Sequence, residues 1–232
     1  FAETIRYFGT RIAKLGVELK LGARVECADL GNFHHVIVVT GIVPRALDVP
    51  GIEHAKVASY ADIVSGRRVA GSKVAIVGAG GIGFDVAELL SHGGDQPNDI
   101  DHFRNEWGID ATYAVRGGLK KPADEPPPRQ IWLLQRKTSK VGDGLAKTTG
   151  WIRRTLLKRR NVKMLAGVSY EKIDDAGLHL RLGDETQVFD VDTIVMCAGQ
   201  EPNRALLAEL QQAGKSVSLI GGADVAAELD AK

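Results

Sequence analysis

The sequence predicts an α/β fold in which one strand–helix–strand nucleotide domain is inserted into a second, incomplete domain of the same construction. Two observations carry this. A helix–strand–strand pattern occurs twice along the chain, and a glycine-rich strand–helix turn precedes only the second copy.

The first copy opens with Arg6-Tyr-Phe-Gly-Thr-Arg-Ile-Ala-Lys-Leu-Gly-Val17, whose apolar residues recur at three- and four-residue spacing and predict an amphipathic helix. Glu18–Glu26 reads as a short strand, and His35–Arg45, with Val36-Ile-Val-Val39 at its centre, as a buried one. The second copy repeats the order, with a helix over Trp151–Val162, a strand over Lys163–Glu171 and a closing strand over Thr193–Asn203. Each closing strand ends on a glycine, Gly41 or Gly199, with a proline three residues later at Pro44 or Pro202. Glu201–Gln212 reads as a further helix, Lys215–Gly222 as a strand ending on glycines, and residues 223–232 as the start of another helix. The simplest layout is a nucleotide domain over 70–200 inserted into a domain made of 1–69 and 201–232, with Pro44, Pro50 and Pro202 marking the crossings. If the copies are equivalent, the first has its own glycine turn upstream, in a longer protein.

Lys73-Val-Ala-Ile-Val77 is a short apolar strand, followed by Gly78-Ala-Gly-Gly-Ile-Gly83 and then by the helical Phe84–Ser91. This is G-x-G-x-x-G with a strand before it and a helix after it, the context the dinucleotide fingerprint requires. Gly78 permits the tight turn, Gly80 lets backbone approach a pyrophosphate, and Gly83 lets helix and strand pack closely. The helix then turns its amide dipole toward the phosphate charge. The next strand, Gln130-Ile-Trp-Leu-Leu-Gln135, runs into Arg136-Lys-Thr-Ser-Lys140 and carries no carboxylate at its tip. An NAD site places Asp or Glu there, whereas Arg136, with Lys137 or Lys140, suits a 2′-phosphate, so NADPH is expected over NADH. The alternative is a solvated basic turn.

Gly83 and Arg136 are 53 positions apart (136 − 83), where the usual spacing is roughly 20. The excess, 93–130, is rich in Gly, Pro, Asn and Asp and reads as a surface insertion with one short helix near Asp99–Trp107, its role open. Residues 129–163 hold eleven Lys/Arg against one acid, Asp143. With a whole-chain charge of +1 and little aromatic interleaving, this excess belongs to the phosphate pocket and the outer face of a helix, not to nucleic acid. The longest aliphatic stretches are far too short to span a bilayer, so no membrane role is expected and the cytoplasm is the default location.

Cys27 and Cys197 form no CxxC and read as buried free thiols. No nucleophile elbow, zinc spacing or paired-carboxylate pattern appears, so no catalytic side chain and no metal site is expected in these residues. His34-His35 suits a solvated or capping role, and Trp151 suits either a flavin or nicotinamide face or the core. Such a chain leaves hard chemistry to cofactors.

Six runs, Val74–Asp85, Asn105–Asp110, Leu134–Lys140, Gly144–Ile152, Gly167–Asp175 and Cys197–Ala205, closely resemble the bacterial NADPH-dependent 2,4-dienoyl-CoA reductases, and the resemblance extends over essentially all 232 residues. It implies a Rossmann-like NADPH-binding domain inserted into an incomplete FAD-binding Rossmann-like domain. This would be the C-terminal, electron-input part of an enzyme whose FMN barrel and 4Fe-4S cluster lie elsewhere. In such enzymes NADPH reduces FAD, and electrons pass through the cluster to FMN and the dienoyl-CoA in unsaturated fatty-acid oxidation. Carried over by motif, Gly78, Gly80, Gly81, Gly83, Arg136, Lys137 and Lys140 are the implied NADPH contacts. Ala23, Val25, Thr40, Gly41, Gly221 and Gly222 are the implied remainder of a partial FAD site. Flavoproteins of this kind often end the last strand in Gly-Asp; here Gly222 stands in that place with Asp224 two positions on, so backbone contacts to the flavin's ribityl chain are expected. Two other readings stay open: the equivalent region of a related enoate or amine flavoprotein, and a non-catalytic NADPH-sensing module.

Overall fold

The computed structural model describes residues 2–92, 99–123 and 126–227. In chain order its elements are α1 (Ala2–Lys14), β1 (His35–Val38), β2 (Ile42–Pro44), β3 (Val57–Ser59), α2 (Tyr60–Val64), β4 (Lys73–Val77) and α3 (Gly81–Ser91). Next come α4 (Ile100–Trp107), β5 (Gln130–Gln135), α5 (Gly150–Arg159), β6 (Lys163–Ala166) and β7 (Val168–Asp174). The chain ends with β8 (Gly177–Leu182), β9 (Glu185–Phe189), β10 (Thr193–Met196), β11 (Gln200–Pro202), α6 (Leu207–Gln212) and β12 (Ser216–Leu219). Residues up to Ile42 and from Pro202 to Ala227 form one unit, and Val43–Glu201 form the other. The first crossing therefore falls after Ile42 and not after residue 69, because β3 pairs in parallel with β10 and draws 43–69 into the inserted unit.

The inserted unit is built on a five-stranded parallel sheet in the order β3-β10-β4-β5-β6. Its central strands are continuous apolar runs because both faces are covered, as parallel sheets require. Along β4 the alternation of side chains sorts residues into two cores. Val74 and Ile76 join Phe84, Val86, Ala87 and Leu90 of α3, Leu157 of α5 and Ile63 of α2. Ala75 and Val77 join Leu178 and Leu180 of β8 and Ile173 of β7 on the opposite face. That second layer is the antiparallel meander β7-β8-β9. The predicted strand over Lys163–Glu171 is thus two strands: β6 completes the parallel sheet, and after Gly167 the chain turns into the meander.

The insertion between α3 and β5 carries α4, capped by the Asp99 side chain on the Asp101 amide and ended at Gly108. It is tied to the end of α5. Arg160, only 9% exposed, meets the Glu106 carboxylate and donates to His92 Nε2 at 2.7 Å and to Ser91 Oγ at 3.3 Å. Arg159 lies 5.7 Å over the Trp107 ring. Beyond α4, the Asp110 carboxylate accepts from the Thr112 hydroxyl and the amides of Thr112 and Val115, which holds its pKa down to about 2.

In the other unit β1 pairs in parallel with β12, from His35↔Ser216 to Val38↔Leu219. One face packs Val36, Val38, Val217 and Leu219 with Leu210 of α6. On the other, Ile37 and Val39 are 58% and 60% exposed, so β1 is covered on one side only and is not the buried strand expected. His35 bridges the Ser216 and Ser218 hydroxyls at 2.8 and 3.1 Å. Glu18–Glu26 forms no strand: no neighbouring strand offers it a ladder among the described residues. The helix expected over Glu201–Gln212 shrinks to α6 because Gln200–Pro202 extends as β11. Residues 221–223 make a single 3₁₀ turn in place of a helix start, and 228–232 lie outside the described residues. No helix among the described residues is long and apolar enough to cross a membrane.

Glu106→Gln leaves the Arg160 guanidinium buried without its carboxylate, and we expect the inserted unit to lose about 3 kcal/mol in urea denaturation; an unchanged midpoint would remove the ion pair's anchoring role. Because Asp110 titrates below its ordinary 3.8, its hold on the loop is complete above that value and is lost as pH falls toward 2. Amide exchange at Thr112 and Val115 should therefore accelerate between pH 4 and 2 (roughly the span set by those two pKa values), and Asp110→Asn should abolish that dependence.

Candidate functional site

Register brings the site together before any side chain does. Val77 of β4 is level with Leu134 of β5 and with Met196 of β10, so the chain leaves three adjacent strands at one edge of the sheet. The C-terminal edge of a parallel sheet is where ligands of such folds bind. At this edge Gly78 donates its amide to the Leu134 carbonyl at 2.9 Å, and its φ of +108° is one that only glycine adopts without strain. A Cβ on Gly78 would lie 2.5 Å from the carbonyl oxygen of Cys197.

The other two fingerprint glycines divide between packing and openness. A Cβ on Gly83 would stand 1.9 Å from the Gly78 carbonyl oxygen, so this position is closed by the turn itself. Gly80 caps α3 with φ −83°, and nothing lies within 4 Å of where its Cβ would be. That open cradle, at the positive end of an 11-residue helix, fits a dinucleotide's pyrophosphate. Gly81 is the first residue of α3 and borders a cavity of about 340 Å³, with Ile82 and Asp85 on the helix side and Leu145, Thr149 and Arg153 opposite.

Arg136, Lys137 and Lys140 follow β5 and are exposed. Their loop is shaped by Gln135, whose side-chain amide donates to the carbonyls of Lys137 at 3.0 Å and Ser139 at 2.8 Å. The Gly167 amide takes the Lys137 carbonyl as well, at 3.0 Å. None of the three cations is in an ion pair among the described residues, which leaves their charge for an anion. The Tyr170 hydroxyl is buried with no hydrogen-bond partner among the described residues. Burial pushes its pKa up and the nearby charge of Arg136 opposes that, which sets an unsatisfied hydroxyl beside the proposed phosphate grip.

In the other unit the structure joins two of the flavin candidates. Gly222 packs on Gly41, with its Cβ position 3.3 Å from the Gly41 Cα, while Gly41 and Gly221, both at positive φ, stay open. Asn203 closes this corner: its amide donates to Gly41 O at 2.9 Å, and its carbonyl accepts from the Thr40 hydroxyl. Arg204 pins the turn by donating to the carbonyls of Ala223 and Asp224. The open backbone at Gly41 and Gly221 fits contacts to a flavin nucleotide made through main-chain groups. Ala23 and Val25 sit on the exposed irregular segment after α1, and among the described residues no hydrogen bond joins them to that corner.

Trp151 is 57% exposed at the start of α5, so it is no core indole. Cys197 is buried, and burial pushes its thiol up to about 12, so it holds no thiolate near neutral pH. Cys27 is only half-buried, in the 3₁₀ turn Cys27–Leu30, unlike the buried thiol expected. Sequence reasoning missed Gln135, Tyr170, Arg153 and Arg204. Arg204 stood inside the quoted Cys197–Ala205 run, but Gln135 and Tyr170 looked like ordinary strand residues and Arg153 like one of many helix cations.

A family model described as pyridine nucleotide-disulphide oxidoreductase matches residues 16–230. A metal reductase of Desulforamulus reducens is 26% identical over 219 residues, covering 90% of this chain and 31% of that protein. A cinnamate reductase of Clostridium sporogenes is 22% identical over 222 residues, covering 95% of this chain and 28% of that protein. Among solved structures, a 2-naphthoyl-CoA reductase matches with a TM-score of 0.74 at 20% identity, covering 97% of this chain and 29% of that one. The chain thus spans about a third of the length of the relatives it matches.

Gly80→Ala and Gly83→Ala separate the two glycine roles. Gly80→Ala should leave Tm within about 2 °C of the parent while weakening dinucleotide binding by tenfold or more in calorimetry. Gly83→Ala should lower Tm clearly; equal effects of the two changes on stability would contradict this division.

Proposed function

The chain belongs to the pyridine nucleotide-disulphide oxidoreductase family, and from that premise we propose that it binds NADPH in the inserted unit and FAD in the other. Membership implies a flavin and a nicotinamide cofactor; the choice of NADPH and the residue roles are the further step. The observation that carries it is the strand–turn–helix of β4 and α3, with an open Gly80 and with Arg136, Lys137 and Lys140, in no ion pair among the described residues, after the neighbouring strand.

In this reading Gly78 makes the turn, and Gly80 and Gly81 admit the pyrophosphate to the start of α3. Gly83 keeps helix and turn in contact. Arg136 holds the 2′-phosphate through its planar fork, with Lys137 and Lys140 as point charges. Thr40, Gly41, Gly221 and Gly222, with Ala23 and Val25, are proposed to hold FAD, the first four mainly through backbone. When both are bound, the chemistry they supply is hydride transfer from dihydronicotinamide to flavin. No side chain of this chain is asked to donate or accept a proton in that transfer. Cys27 and Cys197 are both free, and Cys197 is held as a thiol, so this segment offers no dithiol for disulphide exchange.

We propose further that this is the electron-input segment of a cytoplasmic 2,4-dienoyl-CoA reductase, with FMN, the 4Fe-4S cluster and the dienoyl-CoA site in the rest of the protein. The six sequence runs quoted above support it. A related enoate reductase is the second reading, favoured by the relative named as a cinnamate reductase.

Calorimetric titration of the chain with NADPH and NADH tests the first step. The parent should favour NADPH by about tenfold or more, roughly 1.4 kcal/mol. Arg136→Glu should remove that preference by weakening NADPH alone. Equal losses for both nucleotides would end the 2′-phosphate role of Arg136.

A further inference from the structure

The helix α5 and the residue that caps it carry four arginines, at 153, 154, 159 and 160, and three of them are tied into the fold. Arg154 Nη1 donates to the Gly142 carbonyl at 2.7 Å, Arg159 meets the Glu106 carbonyl and the Trp107 ring, and Arg160 meets Glu106, His92 and Ser91. Arg153 differs. Its guanidinium borders the cavity beside α3 and is held by one carboxylate, Asp85, at 2.6 Å.

The wall that carries Arg153 is built and not merely adjacent. Residues 140–150 form consecutive turns, with the Asp143 amide on Lys140 O, the Leu145 amide on Gly142 O and the Gly150 amide on Ala146 O, at 3.0, 3.2 and 2.8 Å. Gly142 is pressed on Phe84 of α3, since a Cβ there would lie 2.6 Å from the Phe84 Cζ. Gly150 is pressed on Leu145 in the same way, at 2.8 Å. This strap holds Leu145 and Thr149 opposite Gly81, and the Thr149 hydroxyl makes no capping bond to α5.

As a stabilising contact the Arg153–Asp85 pair counts for little. Its side chains are 35% and 57% exposed, and exposed pairs contribute between nothing and about 1 kcal/mol. Its electrostatic place matters more. Asp85 is the fifth residue of α3, one turn from the end that attracts anions, and its negative charge opposes a phosphate arriving at Gly80 and Gly81. A guanidinium paired there cancels that charge and keeps further N–H donors free to turn toward a diphosphate.

We propose that this cavity receives the ribose–diphosphate part of the bound dinucleotide, with Arg153 a direct ligand of the diphosphate and Thr149 a hydroxyl ligand beside it. The inference rests on the dinucleotide reading of α3 but assigns residues outside the glycine turn and the Arg136 loop. Because NADPH and NADH share the diphosphate, Arg153 contributes affinity for both and selectivity for neither.

Calorimetry of the chain with NADPH and NADH at two ionic strengths, for the parent, Arg153→Met and Arg153→Lys, tests it. Arg153→Met should weaken both nucleotides by tenfold or more, keep their ratio, and flatten the salt dependence of binding, since one cation–phosphate contact is gone. Arg153→Lys should recover most of the affinity. Unchanged affinity in Arg153→Met, or a loss that keeps the parent's full salt dependence as a distorted pocket would, overturns the role of Arg153. If the parent binds neither nucleotide, the dinucleotide reading of α3 itself falls, an outcome distinct from the other two.

Discussion

Strand β4 is hydrogen-bonded on both edges, to β10 and β5, and buried on both faces, with Val74, Ala75 and Ile76 wholly inaccessible. Every other feature of the inserted unit is placed relative to it. Its even-numbered residues fix the helical layer and its odd-numbered ones the meander layer, so a one-residue slip would exchange the two cores and misfit both. The same register sets where Gly78, Arg136 and Cys197 leave the sheet. The position of this edge is therefore a by-product of core packing.

At that edge the glycine turn combines two opposite demands. Gly78 and Gly83 are closed against protein atoms, while nothing lies within 4 Å of the Cβ position at Gly80. The charges are arranged in a similar way. Arg154, Arg159 and Arg160 bind protein acceptors and fix the strap and the insertion, leaving Arg136, Lys137 and Lys140 outward on the neighbouring loop. A stretch that reads in sequence as one basic cluster is in space two populations with different partners.

The inserted unit was legible because its signals are local. An apolar run between Gly71 and Gly78 located β4, the apolar Ile131–Leu134 before Arg136-Lys137 located β5, G-x-G-x-x-G located the turn, and the 100–107 helix carried its own caps at Asp99 and Gly108. What escaped depends on long-range partners. Gly167 divides one apparent strand between a parallel sheet and an antiparallel meander, and only the pairing of Val168–Asp174 with β8 reveals it. The first domain crossing was misplaced because the three residues of β3 are too few to show which sheet they join. Glu18–Glu26 looked extended by composition, yet extended backbone becomes a strand only beside another. Gln135, the last residue of β5, and Tyr170, the third of β7, matter through geometry: alternation predicts burial and says nothing of which neighbour the polar end meets.

The insertion enters the fold through a closed neck. Arg129, one residue before β5, donates to the carbonyl of Leu90 near the end of α3 at 3.2 Å, so the two ends of the excursion are clamped side by side by the parent fold. Closing the ends of a loop is the part whose entropic cost depends on length, and that dependence is only logarithmic. With the ends already fixed, lengthening or shortening the excursion outside α4, whose Glu106 is paired with the buried Arg160, changes the free energy of the sheet very little. This position is therefore a port in the architecture: segments of different size can be exchanged there over evolutionary time while the glycine turn and the strands beside it keep their register.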